Sequence, residues 1–142
     1  MKKKLNCILL IDDSPEANRF NQIIIKGMNI TNSIQFAQTG VEAMEYLKKE
    51  NQIIPEIIFL DISMPKMNGW EFLDQYKFLE EKQKAKTVIL MLTTSVNPDD
   101  EEKAKLIQEI SGYQNHPLSK EKMTEILEQY FPDYVENIIC KK

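Results

Sequence analysis

Residues Ile57–Gly69 read IIFLDISMPKMNG. Four apolar residues, Ile57 to Leu60, stop abruptly at Asp61, and Pro65, Asn68 and Gly69 break the chain before a new apolar period starts. A short apolar run bounded by such breakers reads as a buried strand, which puts Asp61 at its carboxyl end. In an open parallel sheet that edge is where ligands bind. A carboxylate there is costly to bury unless it is paired or takes part in chemistry. The bland alternative is an Asp that caps the next helix, but Asn68 stands much nearer to that helix and suits the role better.

Working outward, Leu5–Ile11 is predicted as the first strand, ending on Asp12-Asp13, with Ser14 as cap and Pro15 at the first position of a helix. Phe20, Ile23 and Ile24 are expected to give that helix its inner face. Ser33–Ala37 reads as a short strand, and Thr39-Gly-Val-Glu42 as a capping box opening a helix to about Lys49, with Val41, Ala43, Met44 and Leu47 inward. Glu56–Leu60 is the third strand. A third helix runs from about Gly69 to Glu81, and Thr87–Leu92 is a fourth strand ending on Thr93-Thr94-Ser95. Asn97-Pro98-Asp99-Asp100 opens a fourth helix, its acids placed at the positive end of the dipole. Ser111–Asn115 is the fifth strand, followed by His116-Pro117, and Ser119 caps a fifth helix ending near Phe131-Pro132. Val135, Ile138 and Ile139 have the spacing of one or two further helical turns.

Five strands alternating with five helices imply a parallel sheet covered on both faces and joined by right-handed crossovers. Periodicity does not fix the strand order. A doubly wound α/β sandwich of the flavodoxin-like (βα)5 kind, order 2-1-3-4-5, is the expected solution. One domain over residues 1–132 is predicted, with 133–142 a short tail and no output domain.

At 142 residues the chain can bury a real core, and 28% charged with 42% hydrophobic residues describes a soluble globular protein. A formal charge of −4, with basic clusters confined to the two ends, argues against nucleic acid as a partner. The apolar run after MKKK halts at Asp12 without a cleavage site, so it reads as a strand rather than a signal peptide. No run is long enough to span a bilayer. Cys7 and Cys140, far apart and without metal spacing, read as reduced thiols of a cytoplasmic protein.

Strands one, three, four and five are each followed by a polar group: Asp12 and Asp13, Asp61, Thr93 and Thr94, and His116. A parallel sheet gathers these ends on one edge. Three carboxylates brought together repel one another unless a cation neutralises them. Oxygen ligands suit magnesium, which keeps waters that a phosphate can replace. The hydroxyl of Thr93 or Thr94 could donate to a phosphoryl oxygen. The chemistry this points to is phosphoryl transfer to a carboxylate.

LLIDDS, FLDISMPKMNGWE, LMLTTS and GYQNHPL together resemble the response-regulator receiver domains of two-component signalling, over essentially Leu5 to Phe131. The stand-alone, chemotaxis-regulator-like members are the nearest in form. The resemblance implies that Asp61 accepts a phosphoryl group from a histidine kinase or phosphotransfer protein. It implies that Asp13 binds Mg2+ directly, that Asp12 does so chiefly through water, and that the Ser63 backbone carbonyl completes the protein ligands. Thr93 matches the switch hydroxyl, with Thr94 the alternative because the doubled threonine leaves the register open by one. Tyr113 matches the switch aromatic. Ser63 and Ser95 match positions that tune phosphate lifetime, and His116-Pro117 a bond that is cis in the family. Output would be a protein target bound on the face of the fourth helix, fifth strand and fifth helix. No catalysis is expected beyond self-directed phosphorylation and dephosphorylation.

One departure stands out. The family has lysine before the proline of the last strand's loop, and here that residue is His116, the only histidine in the chain. Imidazole is shorter and only partly protonated at neutral pH. Beside carboxylates it would hold its proton better and do part of the lysine's work. The runner-up is therefore a pseudo-receiver, a constitutive protein-interaction module in which His116 marks lost switching. A third reading, an aspartyl phosphatase on a similar sheet, needs Asp-x-Asp after the first strand, and Asp12-Asp13-Ser14 does not supply it.

Overall fold

The computed structural model describes residues 5–49, 54–61, 69–80, 83–84, 87–92, 102, 106, 110–115 and 118–131, the side chains of 69, 87–92 and 113–115 excepted. The strands are β1 (Leu5–Ile11), β2 (Thr31–Ala37), β3 (Ile57–Asp61), β4 (Thr87–Leu92) and β5 (Gly112–Asn115). The helices are α1 (Pro15–Met28), α2 (Gly40–Lys48), α3 (Gly69–Tyr76) and α4 (Lys120–Tyr130). Of the expected helix opened by Asn97-Pro98, Glu102 and Leu106 are described, and both are helical. The helix over Lys120–Tyr130, fifth in the sequence reading, is therefore α4 here.

All pairings are parallel, and the sheet order is 2-1-3-4-5. Alternation along β1 and β3 divides the core into two layers. Leu9, Ile11, Ile58 and Leu60 pack with Ala43, Met44 and Leu47 of α2 and Phe72, Leu73 and Tyr76 of α3. Ile8, Leu10, Ile57 and Phe59 pack with Ile25 of α1 and Met123, Ile126 and Leu127 of α4. Both faces of the central strands are buried, which is why β3 is apolar at every position before Asp61. No helix among the described residues is long and apolar enough to cross a membrane.

Local signals act where the sequence places them. The Ser14 hydroxyl accepts from the Ala17 amide at 3.2 Å, Thr39 from Glu42 at 3.0 Å and Ser119 from Lys122 at 3.1 Å. Each satisfies a donor that the helix itself leaves open. The Glu42 carboxylate reaches back to the Gln38 amide at 3.0 Å, one residue before the cap. Asn29 ends α1 in the left-handed region at φ 56°, a conformation its short polar side chain tolerates.

Three expectations need correction. The inner face of α1 is Asn18, Asn21 and Ile25, while Phe20 is 45% and Ile23 62% exposed. Val41 is exposed, at the first turn of α2. α3 ends at Tyr76 because the chain tightens there: the Phe78 and Leu79 amides donate to the Gln75 and Tyr76 carbonyls, three residues back. Leu79 stays buried even so, and Trp70 packs half-buried on the α2–α3 layer. Cys7 is a buried free thiol whose sulfur lies 3.9 Å from the Tyr46 hydroxyl. Cys140 and the tail 133–142 lie outside the described residues.

Candidate functional site

The strand register builds the site. Ile11 pairs with Leu60, so one further step along each chain brings Asp12 level with Asp61, the last residue of β3. β4 and β5 end level as well, Leu92 opposite Asn115, the residues immediately before Thr93 and His116. The carboxyl edge of the sheet is thus a row of strand ends, as doubly wound folds require.

Asp12 is tied down through backbone and side chain. Its amide donates to the Ala37 carbonyl of β2 at 3.1 Å, which extends the β1–β2 ladder by one residue. Its Oδ1 accepts from the Ser14 amide at 2.9 Å. Its carbonyl accepts from the Asn18 side-chain amide at 2.9 Å, in a buried bond. Asp12 and Asp61 are both buried, whereas Asp13 is exposed.

One carboxylate oxygen from each of Asp12, Asp13 and Asp61 lies within 4.8 Å of the other two. At that separation the buried pair repels by on the order of 3 kcal/mol at an effective dielectric near 20. A divalent cation removes that cost. Three oxygens within 4.8 Å of one another can close on one ion directly or through a bridging water. The donors are all hard oxygens and the site opens to solvent at Asp13, so the residues fit magnesium.

Ser63, Thr93, Thr94, Ser95, His116 and Pro117 lie outside the described residues. Tyr113 is in β5, paired with Leu90, and its side chain lies outside the description. The residue that the sequence reading passed over is Asn18. Its signal was present: positions 18, 21 and 25 have helical spacing, and 18 follows the Ser14 cap by one turn. The apolar period of Phe20, Ile23 and Ile24 masked it.

Comparison with known proteins agrees with this geometry. A family model described as the response regulator receiver domain matches residues 8–128. The chain is 33% identical over 97 residues to the response regulator Rcp1 of Synechocystis, covering 66% of this chain and 65% of that one. It is 31% identical over 117 residues to the hybrid signal transduction histidine kinase D of Dictyostelium discoideum, 82% of this chain but 7% of that protein. The crystal structure of a two-component response regulator from Cytophaga hutchinsonii superposes with a TM-score of 0.77 at 30% identity, over 92% of this chain and 99% of that one. A match of this extent, on a sheet whose order and acidic edge already have that form, makes the chain a member of the response regulator receiver domain family.

Proposed function

We propose that residues 1–132 form a receiver in which Asp61 takes a phosphoryl group from a histidine kinase or phosphotransfer protein, with 133–142 following it. The observation that carries this reading is the convergence of the Asp12, Asp13 and Asp61 carboxylates at the carboxyl edge of the sheet. An oxygen of Asp61 attacks phosphorus, the phosphorus–nitrogen bond of the donor breaks, and the imidazole keeps the electron pair. Asp12 and Asp13 do not react; they and the Ser63 carbonyl would hold the ion beside the acceptor. Bound there, Mg2+ neutralises the charge on the phosphoryl oxygens during transfer.

The hydroxyl of Thr93, or of Thr94 one residue on, then donates to the acyl phosphate, and Tyr113 follows it. The rearrangement alters the face made by the helix after β4, β5 and α4, where a protein target binds. Nucleic acid and membrane are not partners in this reading, and the protein acts in the cytoplasm. Acetyl phosphate with Mg2+ should add the mass of one phosphoryl group to the wild type and none to Asp61→Asn. Equal labelling of the two would overturn the assignment.

The pseudo-receiver remains as the second reading because His116 stands where the family has lysine. Beryllofluoride with Mg2+ separates the two. Amide shifts at Thr93 and Tyr113 that grow from pH 8 to pH 6, as the imidazole gains its proton, support switching through His116. No shift at either pH supports the constitutive module.

A further inference from the structure

Asn18 is 2% exposed, on the inner face of α1, and its side-chain nitrogen donates to the Asp12 carbonyl at 2.9 Å. A carbonyl only accepts, so the amide must present its NH2 there and turn its oxygen elsewhere. That oxygen, Asn18 Oδ1, is buried and has no hydrogen-bond partner among the described residues. A buried acceptor left unmatched destabilises the fold; a leucine of similar shape would remove that oxygen but would also take this donor from the Asp12 carbonyl. What the asparagine supplies in return is its bond to Asp12.

The carbonyl it grips belongs to the peptide unit joining Asp12 to Asp13. Holding that unit fixes ψ of Asp12 and φ of Asp13, and with them the local backbone from which both side chains leave. The Ala37 carbonyl already fixes the amide on the other side of Asp12. With the bond from Asn18, both peptide planes flanking Asp12 are held.

We propose that Asn18 is a positioning residue for the divalent-cation site: it locks the Asp12–Asp13 peptide plane so that both carboxylates leave the backbone toward Asp61. The proposal rests on reading the three carboxylates as a cation site. Groups that orient metal ligands without touching the metal typically change affinity by about 10- to 100-fold when removed.

The test titrates Mg2+ alone into the metal-free 142-residue chain, followed by amide chemical shifts, for wild type, Asn18→Leu and Asn18→Ala. Unfolding midpoints are measured in parallel in chelator. Leucine removes the unmatched oxygen and takes the donor from the Asp12 carbonyl, two changes that offset each other, so its midpoint should stay near that of wild type. Alanine leaves a small cavity and should lower it. Both variants should weaken Mg2+ binding alike, by about tenfold. Affinity within twofold of wild type in a folded variant overturns the role of Asn18, as does affinity that follows the midpoint, weakened by alanine and spared by leucine. A wild type that binds no Mg2+ overturns the cation-site reading itself, and the proposal with it.

Discussion

Asp12 and Asn18 show what single residues contribute and what a reading of sequence misses. Asp12 announces itself by ending an apolar run. Asn18 sits one turn into α1 as one polar residue among several, and its spacing with Asn21 and Ile25 is masked by the apolar period of Phe20, Ile23 and Ile24. The Ser14, Thr39 and Ser119 caps were legible because capping is decided within three residues. Tyr46 makes a prediction at this scale. Burial first, and then the neighbouring Cys7 thiol, push its phenol above the ordinary value of 10.0. The folded state therefore favours the neutral phenol, a contribution complete below pH 10 and lost as the pH rises beyond it. Between pH 9 and 11 the urea midpoint of Tyr46→Phe should fall less than that of wild type; an equal fall would assign the loss to other groups.

At the scale of the element, α1 is the instructive case. Its apolar residues predict one inner face, and the helix presents another. The start of the helix is fixed by the Ser14 cap and the bond from Asn18 to Asp12, and at 3.6 residues per turn a fixed start sets the phase of everything after it. Asn21 and Ile25 then point inward, and Ile23 does not. Ile23→Gln should change the unfolding free energy by no more than about 0.5 kcal/mol. Ile25→Ala should cost roughly 2–5 kcal/mol. Chemical denaturation distinguishes them, and the reverse ranking would restore the face that the periodicity implies. The strands needed only shifts of bounds: β1 and β4 keep those read from sequence, while β2 starts two residues earlier at Thr31, β3 runs Ile57–Asp61 and β5 starts one residue later at Gly112.

For the molecule as a whole, alternation of strands and helices was enough to specify a parallel sheet with two covered faces. It did not determine which strands are neighbours; that came from the order expected of a doubly wound sheet of five βα units, and the 2-1-3-4-5 order agrees with it. The site followed the same division: Asp12, Asp13 and Asp61 were legible as strand ends, while their spacing depends on the β1–β3 register, which no single segment encodes. Because both layers share one sheet, they should unfold together. Ile58→Ala in the α2–α3 layer and Ile57→Ala in the α1–α4 layer should each cost about 2–5 kcal/mol and leave a single transition. Circular dichroism and tryptophan fluorescence should then give coincident curves, and two separated curves would mean that the layers are independent.

The 2.9 Å bond from the Ser14 amide to Asp12 Oδ1 gives the protein a resident spy. That proton looks straight at the oxygen, so its resonance frequency registers whatever else comes to share the electron pair. Calcium, manganese, acid or a vacant pocket should each leave a different signature on one peak, readable without a label, an antibody or a signalling partner in the tube. A Ser14 peak indifferent to millimolar magnesium would mean that the oxygen it watches never meets the ion.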